Sequence, residues 1–224
     1  MKKVLSLVTL LGALAGTASA APYYMPTPAG GAITPYDWQP VYSLEALYNV
    51  SDRDAAPDTY GARASLSLYN TGSGSVRHQF SINAGYEMGD HDVNIAFMDA
   101  PTRVGIDLTR IPLTLGYDLN LGITESVFID LGAKAGYAWG EVESKVKDAG
   151  SFEGASAKDD LGGFTFSLGA GIKVQCSESI YVKVGYEFSR TFYGKISSPV
   201  LNSGESKSLN YGHHSIVVGV GCLF

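Results

Sequence analysis

Apolar and polar side chains alternate along eight stretches of this chain, a period of two that is typical of β-strands whose faces meet different surroundings. In the first stretch the apolar face consists of Tyr42, Leu44, Ala46, Tyr48 and Val50. The same alternation recurs over 60–68, 80–88, 111–119, 127–139, 164–174, 180–188 and 216–224. A tilted strand of about 10 residues crosses a bilayer, and an even number of antiparallel strands closes into a ring. The predicted fold is all-β, an eight-stranded antiparallel transmembrane β-barrel.

The lengths of the connections separate this interpretation from a soluble β-sandwich, whose strands also alternate but whose polar face is the outer one. Connections after the second, fourth and sixth stretches are short, at 70–75, 120–125 and 177–178. Those after the other stretches are longer, at 51–59, 89–103, 141–161 and 195–208. Short periplasmic turns and long extracellular loops are typical of outer-membrane barrels. Residues 104–108 are out of phase with the fourth stretch, which predicts a β-bulge near Arg110.

The first 20 residues have the pattern of a secretory signal peptide. Lys2 and Lys3 precede an apolar run over 4–15, and the small residues Ala18, Ser19 and Ala20 follow it. The run is shorter than the ~20 residues of a membrane-spanning helix, so cleavage after Ala20 is predicted. Five prolines lie within 21–40, a composition that disfavours both helix and ladder, and this predicts an irregular periplasmic leader. The barrel itself is expected over 41–224.

Charge and cysteine usage exclude some classes of partner and framework. The formal net charge of −6 argues against nucleic acid, which is usually bound by a basic patch. Cys176 and Cys222 are the only cysteines in the sequence, too few for a disulfide framework in an exported protein. No cofactor is implied by any motif.

The chain resembles the small eight-stranded outer-membrane proteins that include the OmpA-like transmembrane domain and the opacity-type proteins. The resemblance covers 41–224 and rests on strand segments such as 184–188, with the sequence VGYEF, and on a terminal Phe224 preceded by alternating apolar residues. It implies a monomer in the outer membrane of a Gram-negative bacterium, in contact with lipid. It also implies that Phe224 acts as the signal by which the barrel-assembly machinery recognises its clients.

The polar face of the stretches carries charges of both signs in equal number. An eight-stranded barrel encloses only enough space for side chains, so these groups are expected to pair with one another as a structural network. A gated narrow pore is the functional alternative. The predicted lumen residues are Glu45, Arg63, Glu87, Arg110, Asp118, Asp130, Lys134, Lys173, Lys183 and Glu187.

Two polar motifs invite a catalytic or metal-binding interpretation. The segment 213–215, His-His-Ser, resembles the outer-membrane lipid A deacylases, but in that family the catalytic groups face lipid. The alternation places His213 and Ser215 toward the lumen and His214 outward, so no catalytic residue is assigned and no enzyme is predicted. Asp90, His91 and Asp92 offer fewer oxygens than a hard cation prefers, so no metal site is predicted.

The third long connection is expected to be a mobile, solvated loop. Exposed loops on a rigid barrel are the usual place for binding, so the expected function is structural or surface interaction of the adhesion type through extracellular loops. A narrow channel or small-ligand conduit is the alternative, and a lipid A-modifying enzyme is a distant third. The charged residues of this connection are Lys145, Lys147, Asp148, Glu153, Lys158, Asp159 and Asp160.

Overall fold

The computed structural model describes residues 38–52, 56–70, 76–97, 100–148, 154, 156–195 and 208–223. In this part of the chain eight antiparallel strands form a closed barrel in which β8 pairs with β1, and this confirms the predicted fold class. The strands are β1 (Trp38–Ser51), β2 (Thr59–Asn70), β3 (Val76–Phe97), β4 (Ala100–Gly122), β5 (Val127–Asp148), β6 (Ser156–Gln175), β7 (Ile180–Lys195) and β8 (Ser208–Leu223).

An apolar band surrounds the outside of the barrel. Leu115 is 66% exposed and Ile216 is 58% exposed, which is far more than large apolar side chains expose to water in a core. Polar residues of the same strands are buried inside. The burial pattern is thus the reverse of that of a soluble protein, as is typical of a barrel whose outer wall contacts hydrocarbon. Among the described residues, no helix is long and apolar enough to span a membrane.

The barrel begins at Trp38, three residues earlier than the predicted start at residue 41. Pro40 lies opposite Leu68 of β2, and the described part of the ladder between β1 and β8 begins at Val41. A proline is tolerated near the start of a strand, because its missing N–H removes little of the ladder there. Residues 1–37, with the predicted signal peptide and most of the leader, and Phe224 lie outside the described residues.

Four strands continue well past the membrane, and this corrects the predicted loops 89–103 and 141–161. β3 and β4 have 22 and 23 residues, and only positions 98–99 separate them. β5 and β6 have 22 and 20 residues. Lys145, Lys147, Asp148, Lys158, Asp159 and Asp160 therefore lie in strands, whereas Glu153 is outside the described residues. We call residues 90–97, 100–107, 141–148 and 156–160 the extracellular extension.

The predicted bulge near Arg110 is wrong. Glu87 lies opposite Arg110 and Ala84 opposite Leu113, so the register between β3 and β4 is the same on both sides of this position. The register shift falls instead between Arg103 and Val104, in the pairing of β4 with β5. The apolar residues 104–108 differ from the lower strand because outside the bilayer the outer face meets water and the inner face becomes the apolar one.

Candidate functional site

All ten predicted charged residues face the lumen and are buried. They come from every strand except β8. In each strand the alternation turns the polar face inward. The closed ladder brings charges together from strands that are not neighbours, and two connected groups result.

The lower group begins near the periplasmic end. Lys173 Nζ lies 2.8 Å from one carboxylate oxygen of Asp130, and Lys183 Nζ lies 2.5 Å from the other. Lys183 also approaches Glu45 at 3.6 Å. Asp130 is thus clamped between two ammonium groups, and Lys183 connects it to the centre of the barrel.

Arg63 occupies the centre of the lumen. Its Nη2 lies 2.5 Å from Glu45, and its Nη1 and Nη2 donate to both carboxylate oxygens of Glu187 at 2.8 and 2.9 Å. Lys134 donates to the same Glu187 at 2.6 Å. The planar guanidinium matches two carboxylates at once, and each acid has a second cation. This part of the lumen is a fixed, mutually compensated network.

The upper group is built around Arg110, which is 2% exposed. Arg110 Nη2 lies 2.9 Å from Glu87, and Asn49 donates to the same carboxylate at 2.7 Å. Thr191 Oγ1 accepts from Arg110 Nη1 at 3.3 Å, and His213 Nε2 lies 3.4 Å from Nη2. The guanidinium is therefore held by partners from β3, β7 and β8.

Asp118 is the one predicted residue that joins neither group. It is 4% exposed, and no salt bridge within 4 Å connects it to another described residue. Its Oδ1 lacks a hydrogen-bond partner there, and it lines a small cavity with Lys134 and Lys183. Lys134 and Lys183 are thus the cations that share this cavity with Asp118.

An apolar cluster closes the lumen above Arg110. Tyr211 joins it to the charged layer, because the Arg110 guanidinium carbon lies 5.4 Å from the ring centroid of Tyr211. The Tyr211 hydroxyl donates to the carbonyl of Pro57 at 2.9 Å and ties the connection between β1 and β2 to the cluster. The cluster consists of Val104, Ile106, Leu108, Val142, Leu161, Tyr193 and Tyr211.

His213 and Ser215 point into the lumen, whereas His214 faces outward, where the hydroxyl of Tyr186 is its partner. His213 Nε2 lies 2.6 Å from Ser189 Oγ, a serine on β7 rather than Ser215. A nucleophile and its base require a third group that stabilises the imidazolium, usually a carboxylate. Here the neighbour of His213 is the cation Arg110, which disfavours such an imidazolium.

Asp90, His91 and Asp92 lie in β3 rather than in a loop, so the alternation directs Asp92 outward and His91 inward. Arg103 and Lys147 each contact Asp92 at 2.5 Å. The hydrogen bonds from Lys147 and Arg103 hold the pKa of Asp92 below its usual value. The carboxylate serves as the counter-ion of two strands in the extracellular extension.

Sequence reasoning missed two features that the strand phase already contained. Arg77 shares the phase of Gln79 and Ser81 on β3 and is buried at the periplasmic end of the lumen. Val104, Ile106 and Leu108 share the phase of Arg110. Extending each period of two beyond the apolar band would have placed all of them inside the barrel.

Comparison with known proteins agrees with this architecture. Residues 4–224 match the family described as outer membrane protein beta-barrel domain. No curated protein sequence matches the chain.

Solved structures that resemble this chain share little sequence with it. The attachment invasion locus protein Ail of Yersinia pestis is 13% identical, with 84% of this chain and 99% of that chain covered and a TM-score of 0.48. Neisserial surface protein A is 15% identical, with 84% and 97% covered and a TM-score of 0.43. The outer membrane protease OmpT of Escherichia coli is 8% identical, with 84% and 94% covered and a TM-score of 0.46.

The alternation of the strands, the closed ladder, the apolar outer band and the family match all agree. The chain belongs to the outer membrane protein beta-barrel domain family and is an eight-stranded barrel of the bacterial outer membrane.

Proposed function

We propose that the protein is a closed outer-membrane anchor that presents its extracellular extension as a rigid surface for contact with an extracellular partner. The observation that carries the proposal is the continuation of four strands past the apolar band, since a barrel needs only about 10 residues per strand to cross the membrane. The additional length serves no purpose in the bilayer. It raises a paired β-surface above the membrane.

The extension is stiffened from both sides. Inside it, Val104 and Ile106 pack in the apolar cluster with Val93 against them. Outside it, Lys158 contacts Glu141 at 2.6 Å and links β6 to β5, while Lys145 contacts Glu143 at 3.1 Å and Asp107 at 3.4 Å. Each exposed pair contributes little free energy, but the continuous ladder beneath them limits motion. A preorganised surface loses little entropy when it binds.

The contents of the lumen favour an anchor over a narrow channel. Ions on the barrel axis would have to break the salt bridges of Arg63 and then pass the apolar cluster above Arg110. An unpaired buried charge costs several kcal/mol, so transient opening of this network is rare. The expected structural role of the ten charges is part of this proposal.

The enzymatic alternative lacks a suitable arrangement among the described residues. The serine–histidine contact between Ser189 and His213 lies in the lumen, where an acyl chain of the membrane does not reach it. The lipid-facing His214 has a tyrosine hydroxyl as partner rather than a serine. A non-enzymatic role is therefore proposed.

Display on bacteria that otherwise attach poorly tests the proposal. Asp90 lies opposite Asp107 in the ladder, so residues 91–106 are replaced by a two-residue Asn-Gly turn that suits a hairpin at this position. Cells with the intact barrel should be retained on epithelial monolayers and matrix proteins several-fold better than cells with the shortened one. Glu125→Gln at the periplasmic end is the matched control and should retain full attachment.

Two further measurements address the alternatives. The purified barrel in planar bilayers should show no stepwise conductance, and reproducible channel steps would favour the conduit. Lipid A from cells that overproduce the protein should keep its mass spectrum, and a changed acylation pattern would favour the enzyme. Equal attachment by the intact and shortened barrels, both folded, would overturn the adhesion proposal.

A further inference from the structure

A cavity lies at the periplasmic end of the lumen, at the opposite end from the extracellular extension. Its volume is about 320 Å³, including the space at its opening. We call it the mouth pocket. Its apolar and aromatic walls are Val41, Tyr69, Phe128, Tyr181 and Leu223.

Arg77 projects into the mouth pocket and is 9% exposed. Its guanidinium carbon lies 4.3 Å from the ring centroid of Phe128 and 5.9 Å from that of Tyr69. Stacking on aromatic faces orients a guanidinium but satisfies none of its N–H donors. Among the described residues, the buried Nε has no hydrogen-bond partner and no acidic side chain forms a salt bridge with Arg77.

The second cation of the pocket, Lys173, is already compensated. It lies 2.8 Å from Asp130 and donates to Gln79 Oε1 at 2.9 Å. The ten lumen charges described above comprise five acids and five bases, so their sum is zero. Arg77 is an additional positive charge in the membrane-spanning part of the lumen. A buried cation of this kind calls for an anion.

We propose that the mouth pocket binds an organic carboxylate with an apolar or aromatic body that enters from the periplasm. A carboxylate matches the planar fork of a guanidinium, and the ring walls suit an apolar body better than they suit inorganic phosphate. A Cβ at Gly221 would overlap the ring of Tyr181, so this glycine provides the room in which Tyr181 forms one wall. The proposal is independent of the role of the extracellular extension.

The same chemistry has a second source within the chain. Asp37 is the only acidic residue of 21–37 and directly precedes β1 in the sequence. A free carboxylate and the carboxylate of Asp37 would compete for Arg77. The experiment therefore includes Asp37→Asn beside the unaltered protein.

The test uses the full barrel in nanodiscs of neutral lipid, with 4-fluorobenzoate as the probe and its ¹⁹F line width as the signal. The probe should bind the unaltered protein or Asp37→Asn in a saturable manner. Arg77→Gln should weaken binding about tenfold or more, because the charge-assisted pair between the guanidinium and the carboxylate of the probe is lost. Arg190→Gln is the matched control, since Arg190 also lies near an aromatic ring, at 5.8 Å from Phe192, but outside the pocket. It should leave binding unchanged.

Each outcome bears on the proposal. Binding to Asp37→Asn alone means that the chain supplies the carboxylate, and binding to the unaltered protein means that a free ligand does. Absence of binding to both proteins overturns the site. The site is also overturned if the uncharged 4-fluorobenzamide binds as tightly as 4-fluorobenzoate, a comparison that needs no variant. It is likewise overturned if Arg190→Gln weakens binding as much as Arg77→Gln does. If Arg77→Gln does not fold, Arg77→Lys replaces it and should still weaken binding, because an ammonium lacks the planar fork.

Discussion

Arg63 on β2 and Glu187 on β7 are 124 residues apart in sequence, yet two parallel hydrogen bonds of 2.8 and 2.9 Å join them across the lumen. Their strands are not neighbours in the sheet, since β1 and β8 lie between them. The pair therefore braces the barrel through its interior rather than along its wall.

Glu187→Gln should strongly destabilise the barrel. The substitution removes the negative charge that compensates both Arg63 and Lys134 in a buried site, and breaking such a pair costs about 3 to 5 kcal/mol. Urea unfolding from lipid vesicles measures the change in the free energy of unfolding. Glu143→Gln, which removes an exposed ion pair with Lys145, should cost less than about 1 kcal/mol. Equal effects of the two variants would argue against a stabilising network.

Arginine on the lipid face should impair assembly more than loss of a lumen lysine. Val184 is 54% exposed and is the fifth residue of β7, on the lipid face, so Val184→Arg should cost about 2 to 4 kcal/mol. Ile129→Arg lies nearer the periplasmic end of β5, where the cost falls. Lys134→Met should be tolerated better, because Glu187 keeps both contacts with Arg63. Folding yield into vesicles tests this order, and a lower yield for Lys134→Met than for both arginine variants would contradict it.

The folded protein should resist sodium dodecyl sulfate at room temperature and change its gel mobility on boiling. Every strand pairs with two neighbours, so the detergent finds no open edge at which unfolding begins. Electrophoresis of heated and unheated samples is the measurement. Identical mobility, together with fractionation in the periplasm, would be incompatible with a membrane barrel.

Cys176 and Cys222 should both remain thiols, as they are in the structure. Cys222 lies opposite Ile180 of β7, and the N–H of Cys176 donates to the carbonyl of Ile180 at 2.9 Å. Strand β7 thus separates the cysteines by about two strand spacings, roughly 10 Å, which exceeds the span of a disulfide. Thiol counting on the unreduced, denatured protein should give two free thiols, and a mapped intramolecular bond would disprove this strand order.

Acid should loosen the extracellular extension through Asp92. Its pKa is lowered by Lys147 and Arg103, so the stabilisation is complete above the unfolded pKa of about 3.9 and is lost as the pH falls through the lower folded value. Below that pH the protection factors of amides in β3 and β4, obtained from hydrogen exchange after correction for the intrinsic rate, should fall in the unaltered protein. Asp92→Asn should show weaker protection at neutral pH and a smaller change on acidification. A pH response equal to that of the unaltered protein would exclude Asp92 as the cause.

Local sequence was sufficient to predict where the strands lie and which side of each strand is apolar. Alternation in 42–50 or 180–188 depends only on the side-chain period of a strand, and lipid outside with a polar lumen inside imposes the same contrast on every strand. The same rule failed for 104–108 because alternation reports a contrast between two faces and not which face is buried. Above the membrane the outer surroundings change from lipid to water, and the apolar side moves inward without any change in the register between β3 and β4.

The sequence by itself determined that this chain forms a barrel of eight strands with charges inside, because each strand carries its own period. Only the tertiary structure decided which charges meet, because partners such as Arg63 and Glu187 depend on closure of the ring and on the relative heights of distant strands. It also decided that Asp118 joins no ion pair among the described residues and that Arg77 stacks on Phe128 in a pocket that it shares with Lys173. Height along the axis is set by the stagger of all the strands together, and no single segment contains it.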